Sequence, residues 1–264
     1  MAEISASVVK ALRELTGQGM MECKKALQES GGDVEAAKDL LRKKGLTTAE
    51  KKAGRATGEG LVAITANADR TSAAMVEVRC ETDFCARNEV FRAMVAKVAE
   101  LASACGEGPI EPTSQMKQAV QGALAKIGEN MHCARAVKIS APRIGSYVHH
   151  NGKVGVVVGV AGEISDQTLA DLCMHIAFAD PIGITTKDIP EKLVAKEREI
   201  AREQALASGK PANIAEKIVE GKVAKFLAAN ALLEQPFIRD DKKKVKDILG
   251  GAQVKAFARF TVGD

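Results

Sequence analysis

At 264 residues, with 46% hydrophobic and 27% charged positions, the chain has the composition of an ordinary globular protein and room for one large domain or two to three small ones. Aromatics make up only 3%, so the core must be built from Ala, Val, Leu, Ile and Met. The net charge of +4, from 38 basic and 34 acidic residues, is spread along the chain and argues against a nucleic-acid-binding stripe, and no apolar run reaches the ~18 residues of a membrane helix. The opening MAEISASVVK has no apolar signal core, and the six cysteines are scattered without a C-x-x-C pair. A cytoplasmic chain with reduced thiols is the expectation.

Residues 1–45 predict three short helices. Val8, Leu12 and Leu15 lie at helical spacing, and TGQG (16–19) breaks the run. Met20, Cys23 and Leu27 stripe the second helix, which stops at Gly31–Gly32. Asp33 caps a third with Val34, Ala37 and Leu41 on one face. KKAGRATGEG (51–60) reads as a linker. The period then changes to strand-like alternation: Val62, Ile64 and Ala66, a turn at NADRT, then Ala74, Val76, Val78 and Cys80. Helical spacing returns over 89–105, a loop follows at GEGPIEPTS, and 114–127 predicts another helix. Cys133, Arg135, Val137 and Ile139 alternate on a further strand. Asn151–Gly152 marks a hairpin turn, after which Val154, Val156, Val158 and Val160 share a face. Ser165 caps a helix that Pro181 ends.

Two strand–strand–helix units in tandem predict an α+β fold with a duplicated core and antiparallel sheets. Residues 190–230 are highly charged and broken once, at SGKPAN. Leu193, Ile200 and Ala207 on one arm, and Ile214, Ile218, Val219, Val223 and Phe226 on the other, predict a coiled-coil hairpin with a narrow apolar seam. Residues 242–249 predict a short helix, with Lys242–Lys244 as a solvated face. A last strand carries Val254, Ala256, Ala258, Phe260 and Val262 on one side and joins the second sheet. The expected divisions are 1–55, 56–140 and 141–264, with the hairpin inserted at 188–230.

No phosphate-binding loop, nucleophile elbow or zinc-protease motif occurs. MHC (131–133) and CMH (173–175) have poor ligand spacing, so neither a metal nor a cofactor is expected. His149 and His150 sit at a hairpin tip with no acid or nucleophile fixed to them. What remains are surfaces. Met20 and Met21 point about 100° apart on a helix, so one can join the core while the other stays outside. In ETDFCARN, Asp83 can cap a first turn and Asn88 the longer helix. Phe84 lies seven residues before Phe91. On an unbroken helix it would share the core face; with a break at Asn88 it points outward as an interface anchor.

Taken together, MAEISASVVKALRELTGQGMMECKKAL, ETDFCARN, KIGEN, GSYVH, MHIA, SGKP, EKIVEGKVAKF and QPF, in that order, resemble the family of bacterial translation elongation factor Ts. Cys85 stands where that family usually has valine. The resemblance implies an N-terminal ubiquitin-associated-like three-helix domain, the duplicated core and the coiled coil. It also implies a guanine-nucleotide exchange factor, without bond-making chemistry, for the GTPase elongation factor Tu, the partner alone holding the nucleotide. Carried over by motif, the partner-binding residues are Arg13, Met20, Met21, Asp83, Phe84, Ile127, Gly128 and His149. Asp83 and Phe84 form a wedge beside the partner's nucleotide–Mg site. Many family members continue beyond FTVGD into a further contact helix. Two other readings compete: an adaptor displaying its three-helix domain, and a thiol enzyme using Cys85 or Cys23.

Overall fold

The computed structural model describes residues 4–52, 54–207 and 211–264. Three helices come first: α1 (Ala6–Thr16), α2 (Met20–Glu29) and α3 (Val34–Lys52). Ser5 Oγ accepts from Val8 N to start α1, and Gly17 ends it in the left-handed region at φ 68°. Asp33 Oδ1 accepts from Ala36 N at 3.0 Å to start α3. Val9, Leu12, Cys23, Ala26, Leu27, Ala37 and Leu41 form a small core. Leu15 is outside it, contrary to its spacing. Thr16 takes the inward position instead, donating through Oγ1 to Leu12 O at 2.7 Å beside the Cys23 thiol. α3 runs on to Lys52, into the stretch expected to be linker. The SGKPAN break falls partly on residues 208–210, outside the described residues.

The chain continues through β1 (Glu59–Ala66), β2 (Ser72–Cys80), α4 (Asp83–Arg87), α5 (Glu89–Ser103), β3 (Gly108–Pro109), α6 (Ser114–Ile127) and β4 (Met131–Ser140). Next come β5 (Arg143–Val148), β6 (Val154–Ala161), α7 (Asp166–Ala179), α8 (Glu191–Ala207) and α9 (Ala212–Asn230). The end is β7 (Pro236–Phe237), β8 (Asp240–Lys244), α10 (Val245–Ile248) and β9 (Gln253–Thr261). The first antiparallel sheet has the order β1-β2-β4-β3 and the second β5-β6-β9, so the fold is α+β. The two-residue β3 lies in a segment expected to be loop. Among the described residues no helix is long and apolar enough to cross a membrane.

The sheets pack face to face. Val62, Ala73, Met75 and Ile139 of the first meet Ile144, Val157 and Phe260 of the second. Gly155 lies at the close approach, where a Cβ would stand 2.4 Å from Val62 Cγ1. α5 and α6 cover the outer face of the first sheet, and α7 that of the second.

Two expected stripes are cut by bulges. Glu77 pairs with Arg135 and Val78 with Cys133, leaving Ala134 extra. The added residue turns Cys133 toward the helices while Val137 and Ile139 face the other sheet. In β9, Gly159 pairs with Ala256 and Val160 with Val254, leaving Lys255 extra. Val254 therefore faces α7, and Ala256, Ala258 and Phe260 face the first sheet.

The α8–α9 hairpin closes on Ala201, Ala205, Ala215, Val219 and Val223. Its α8 seam runs one residue later than Leu193 and Ile200, which stay 39% and 37% exposed, and Ile214 is exposed as well. Alanines let the helices approach where larger side chains would hold them apart. The helix expected over 242–249 is replaced by β8 and the four-residue α10. β8 pairs with β7, and Lys244 at the end of β8 and Lys246 in α10 pair with Glu234 at 2.6 and 2.9 Å.

Candidate functional site

β2 ends at Cys80, and the chain turns sharply into α4. The cap is Thr82, not Asp83: Cys85 N donates to Thr82 Oγ1 at 3.2 Å. Asp83 occupies the first turn and forms an ion pair with Arg87 at 3.1 Å. α4 has five residues and stops at Asn88, whose extended ψ of 135° breaks the helix. Asn88 Oδ1 then accepts from Val90 N at 2.8 Å and starts α5, as its sequence position predicts. The break takes Phe84 off the Phe91 face. Phe91 is fully buried and Phe84 is 80% exposed, although Cys85 and Ala86 beside it are buried.

A distant segment holds this joint. Thr82 N donates to Glu129 Oε2 at 3.0 Å, and Thr82 Oγ1 donates to Glu129 Oε1 at 2.8 Å. Asn130 N donates to Glu81 Oε1 at 2.5 Å, and Asn130 Nδ2 donates to Arg55 O at 2.8 Å. Two acidic residues thus exchange bonds with each other's neighbouring backbone. Gly128 makes this possible: at φ 86° it ends α6 in the left-handed region, donating to Leu124 O at 2.8 Å. Ile127, half-buried, packs on the core of the first sheet. Ile127 and Gly128 are therefore the two residues that lead into Glu129, which is bonded to Thr82. Glu81, Thr82, Glu129 and Asn130 lie within the motifs ETDFCARN and KIGEN, but their pairing was not legible, since the partners lie 47 and 49 residues apart.

A cleft of about 590 Å³ brings Asp83 and His149 together. Arg87 and Arg92 line it on one side; β1 and the β5–β6 turn line it on the other. His149 Nδ1 lies 2.8 Å from Tyr147 Oη, with the His150 ring 4.2 Å away. Val62 N donates to Gly152 O at 2.8 Å, fixing the hairpin tip against β1.

The N-terminal candidates stand apart on α1 and α2. Arg13 is exposed. Met20 and Met21 are 44% and 62% exposed, so neither joins the core, because Cys23, Ala26 and Leu27 already fill it. The turn before Met20 rests on α6: a Cβ at Gly17 would lie 2.6 Å from Lys126 Cε, one residue before Ile127.

The thiols fit packing better than chemistry. Burial pushes Cys80 up to about 11, and burial, with Cys80 next to it, pushes Cys85 higher still. Both stay protonated near neutral pH and are poor nucleophiles. Cys23 is fully buried. Among the described residues no group of three His, Cys, Asp or Glu could hold a metal ion. The arrangement presents a fixed, exposed aromatic beside a polar cleft, a geometry suited to docking.

A family model described as Elongation factor TS matches residues 81–264. Curated relatives extend the match over the N-terminal helices. Elongation factor Ts of Aquifex aeolicus (strain VF5) is 44% identical, with 98% of each chain covered. Elongation factor Ts of Hahella chejuensis (strain KCTC 2396) is also 44% identical, over 100% of this chain and 93% of the relative. The protein of that name from Clostridium acetobutylicum (strain ATCC 824) is 42% identical, over 99% and 93%.

Proposed function

The chain belongs to the elongation factor Ts family, and from that premise we propose that it binds the GDP form of elongation factor Tu and promotes exchange of GDP for GTP. The observation that carries the site assignment is the 80% exposure of Phe84 on a helix break held from two sides. An exchange factor needs no acid, base or nucleophile. It needs binding energy set against nucleotide affinity, and the coupling is reciprocal: the factor weakens nucleotide binding as much as nucleotide weakens factor binding.

In this reading Phe84 inserts beside the partner's nucleotide and Mg²⁺, with Asp83 next to it and Ile127 and Gly128 supporting the contact. The three N-terminal helices, a ubiquitin-associated-like unit, dock on the GTPase through Arg13, Met20 and Met21, and His149 touches a distal part of the partner. The work is cytoplasmic, and the nucleotide stays on the partner. Release of labelled GDP from elongation factor Tu, with and without this chain, tests it. Faster release of label into excess unlabelled GDP is the expected result; an unchanged release rate refutes the reading.

A further inference from the structure

Phe84 can act as an anchor only if its backbone is fixed, and α4 is too short to fix itself. Five residues supply little more than one turn, and helices that short are not stable alone. The fixing comes from outside. Thr82, the cap of α4, has one hydroxyl that accepts from Cys85 N and donates to Glu129. Its own N–H goes to the second Glu129 oxygen. One carboxylate therefore satisfies both donors of the residue that starts α4, and it does so two residues from Phe84.

We propose that Glu129 is a positioning residue for Phe84, acting through Thr82, with the Glu81–Asn130 bond holding the same two segments in register. The proposal rests on the exchange reading above, but its first readout does not. Neither Glu129 nor Thr82 needs to meet the partner. The carboxylate accepts both bonds, one on each oxygen; glutamine keeps one accepting oxygen and meets the Thr82 hydroxyl as a neutral donor instead, a weaker contact.

The test uses the full chain carrying Glu129→Ala, Glu129→Gln, and each combined with Phe84→Ala. In the free protein, amide hydrogen exchange at Thr82 reads the bond directly. It should speed up about tenfold in Glu129→Ala and less in Glu129→Gln. GDP release from elongation factor Tu should slow about tenfold in Glu129→Ala, with partial retention in Glu129→Gln. In the Phe84→Ala background the Glu129 change should add no further slowing, because a residue that acts through Phe84 has nothing left to position. Wild-type protection at Thr82 overturns the proposal, and so does an equal loss in both backgrounds. If Glu129→Ala does not fold, Glu129→Gln carries the same readouts. If Phe84→Ala alone exchanges at the wild-type rate, the wedge assignment falls, while the Thr82 amide still decides whether Glu129 fixes the joint.

Discussion

Two phenylalanines are equally bare, and they are bare for different reasons. Phe84 is 80% exposed and Phe178, near the end of α7, is 78% exposed. Phe178 follows Ile176 by two positions on a regular 14-residue helix, so helical phase alone turns it outward. Arg259 ties that end down, donating through Nε to Ala177 O at 3.1 Å and pairing with Asp180 at 2.9 Å, but the helix would place Phe178 there regardless. Phe84 is the reverse case. Continuous helical phase would carry it to the core beside Phe91. It is outside because Asn88 interrupts the helix and Thr82, Glu81, Glu129 and Asn130 hold the interrupted piece. Exposure by default says little about function. Exposure produced by several dedicated contacts points to a use for the side chain.

Phe84→Ala should show the largest effect, slowing stimulated GDP release about 30- to 1,000-fold, the range of a ~2–4 kcal/mol anchor. Its thermal midpoint should stay at the wild-type value, since the ring buries little in the free chain. A normal release rate would put Phe84 in the same class as Phe178. Asn88→Ala attacks the break itself. Loss of its bond to Val90 N should cost about 1 kcal/mol in urea unfolding. It should also slow release by less than the Glu129 change, because Thr82 and Glu129 still hold the other end of α4. An Asn88 variant that loses stability but keeps full release would show that the break is not what presents Phe84.

The sequence made much of the fold legible, and the places where it did not share one cause. Caps and turns are local, so Asp33, Asn88 and Ser165 were readable and the structure keeps them. Strand faces were readable only up to a bulge. Nothing in MHCARAV announces that Ala134 is extra, because the surplus is defined by the partner strand. The hairpin seam erred by one residue because Leu193 and Ile200 look like better core than Ala201 and Ala205, although close packing favours the small side chains. At the candidate site the chain motif named Phe84, but the bonds that hold it join residues far apart in sequence.

The α7 side also makes a pH prediction. Burial holds the His175 imidazole below its ordinary value of 6.5, and its Nε2 bond to Gln235 at 3.0 Å only partly opposes that. Below pH 6.5 the unfolded chain takes up a proton at His175 that the folded chain refuses. Stability is therefore complete above that pH and falls as pH drops through the window toward the folded value. Urea unfolding at a series of pH values should show the decline, and His175→Asn should flatten it. Stability that rises on acidification through this window would contradict the assignment.

Phe178→Ala is the sharpest control because its expected effect is the smallest. It removes a ring as exposed as that of Phe84, from a helix end about as well anchored, with no loss of core contact. GDP release should stay within about twofold of wild type, and unfolding within about 0.5 kcal/mol, as for surface positions in general. If release instead falls as far as in Phe84→Ala, bare apolar area is what the partner reads, and the helix break has no special standing. If it does not, exposure alone does not make a docking residue. What sets Phe84 apart is then its place beside the Asp83–His149 cleft on a joint that Thr82 and Glu129 hold.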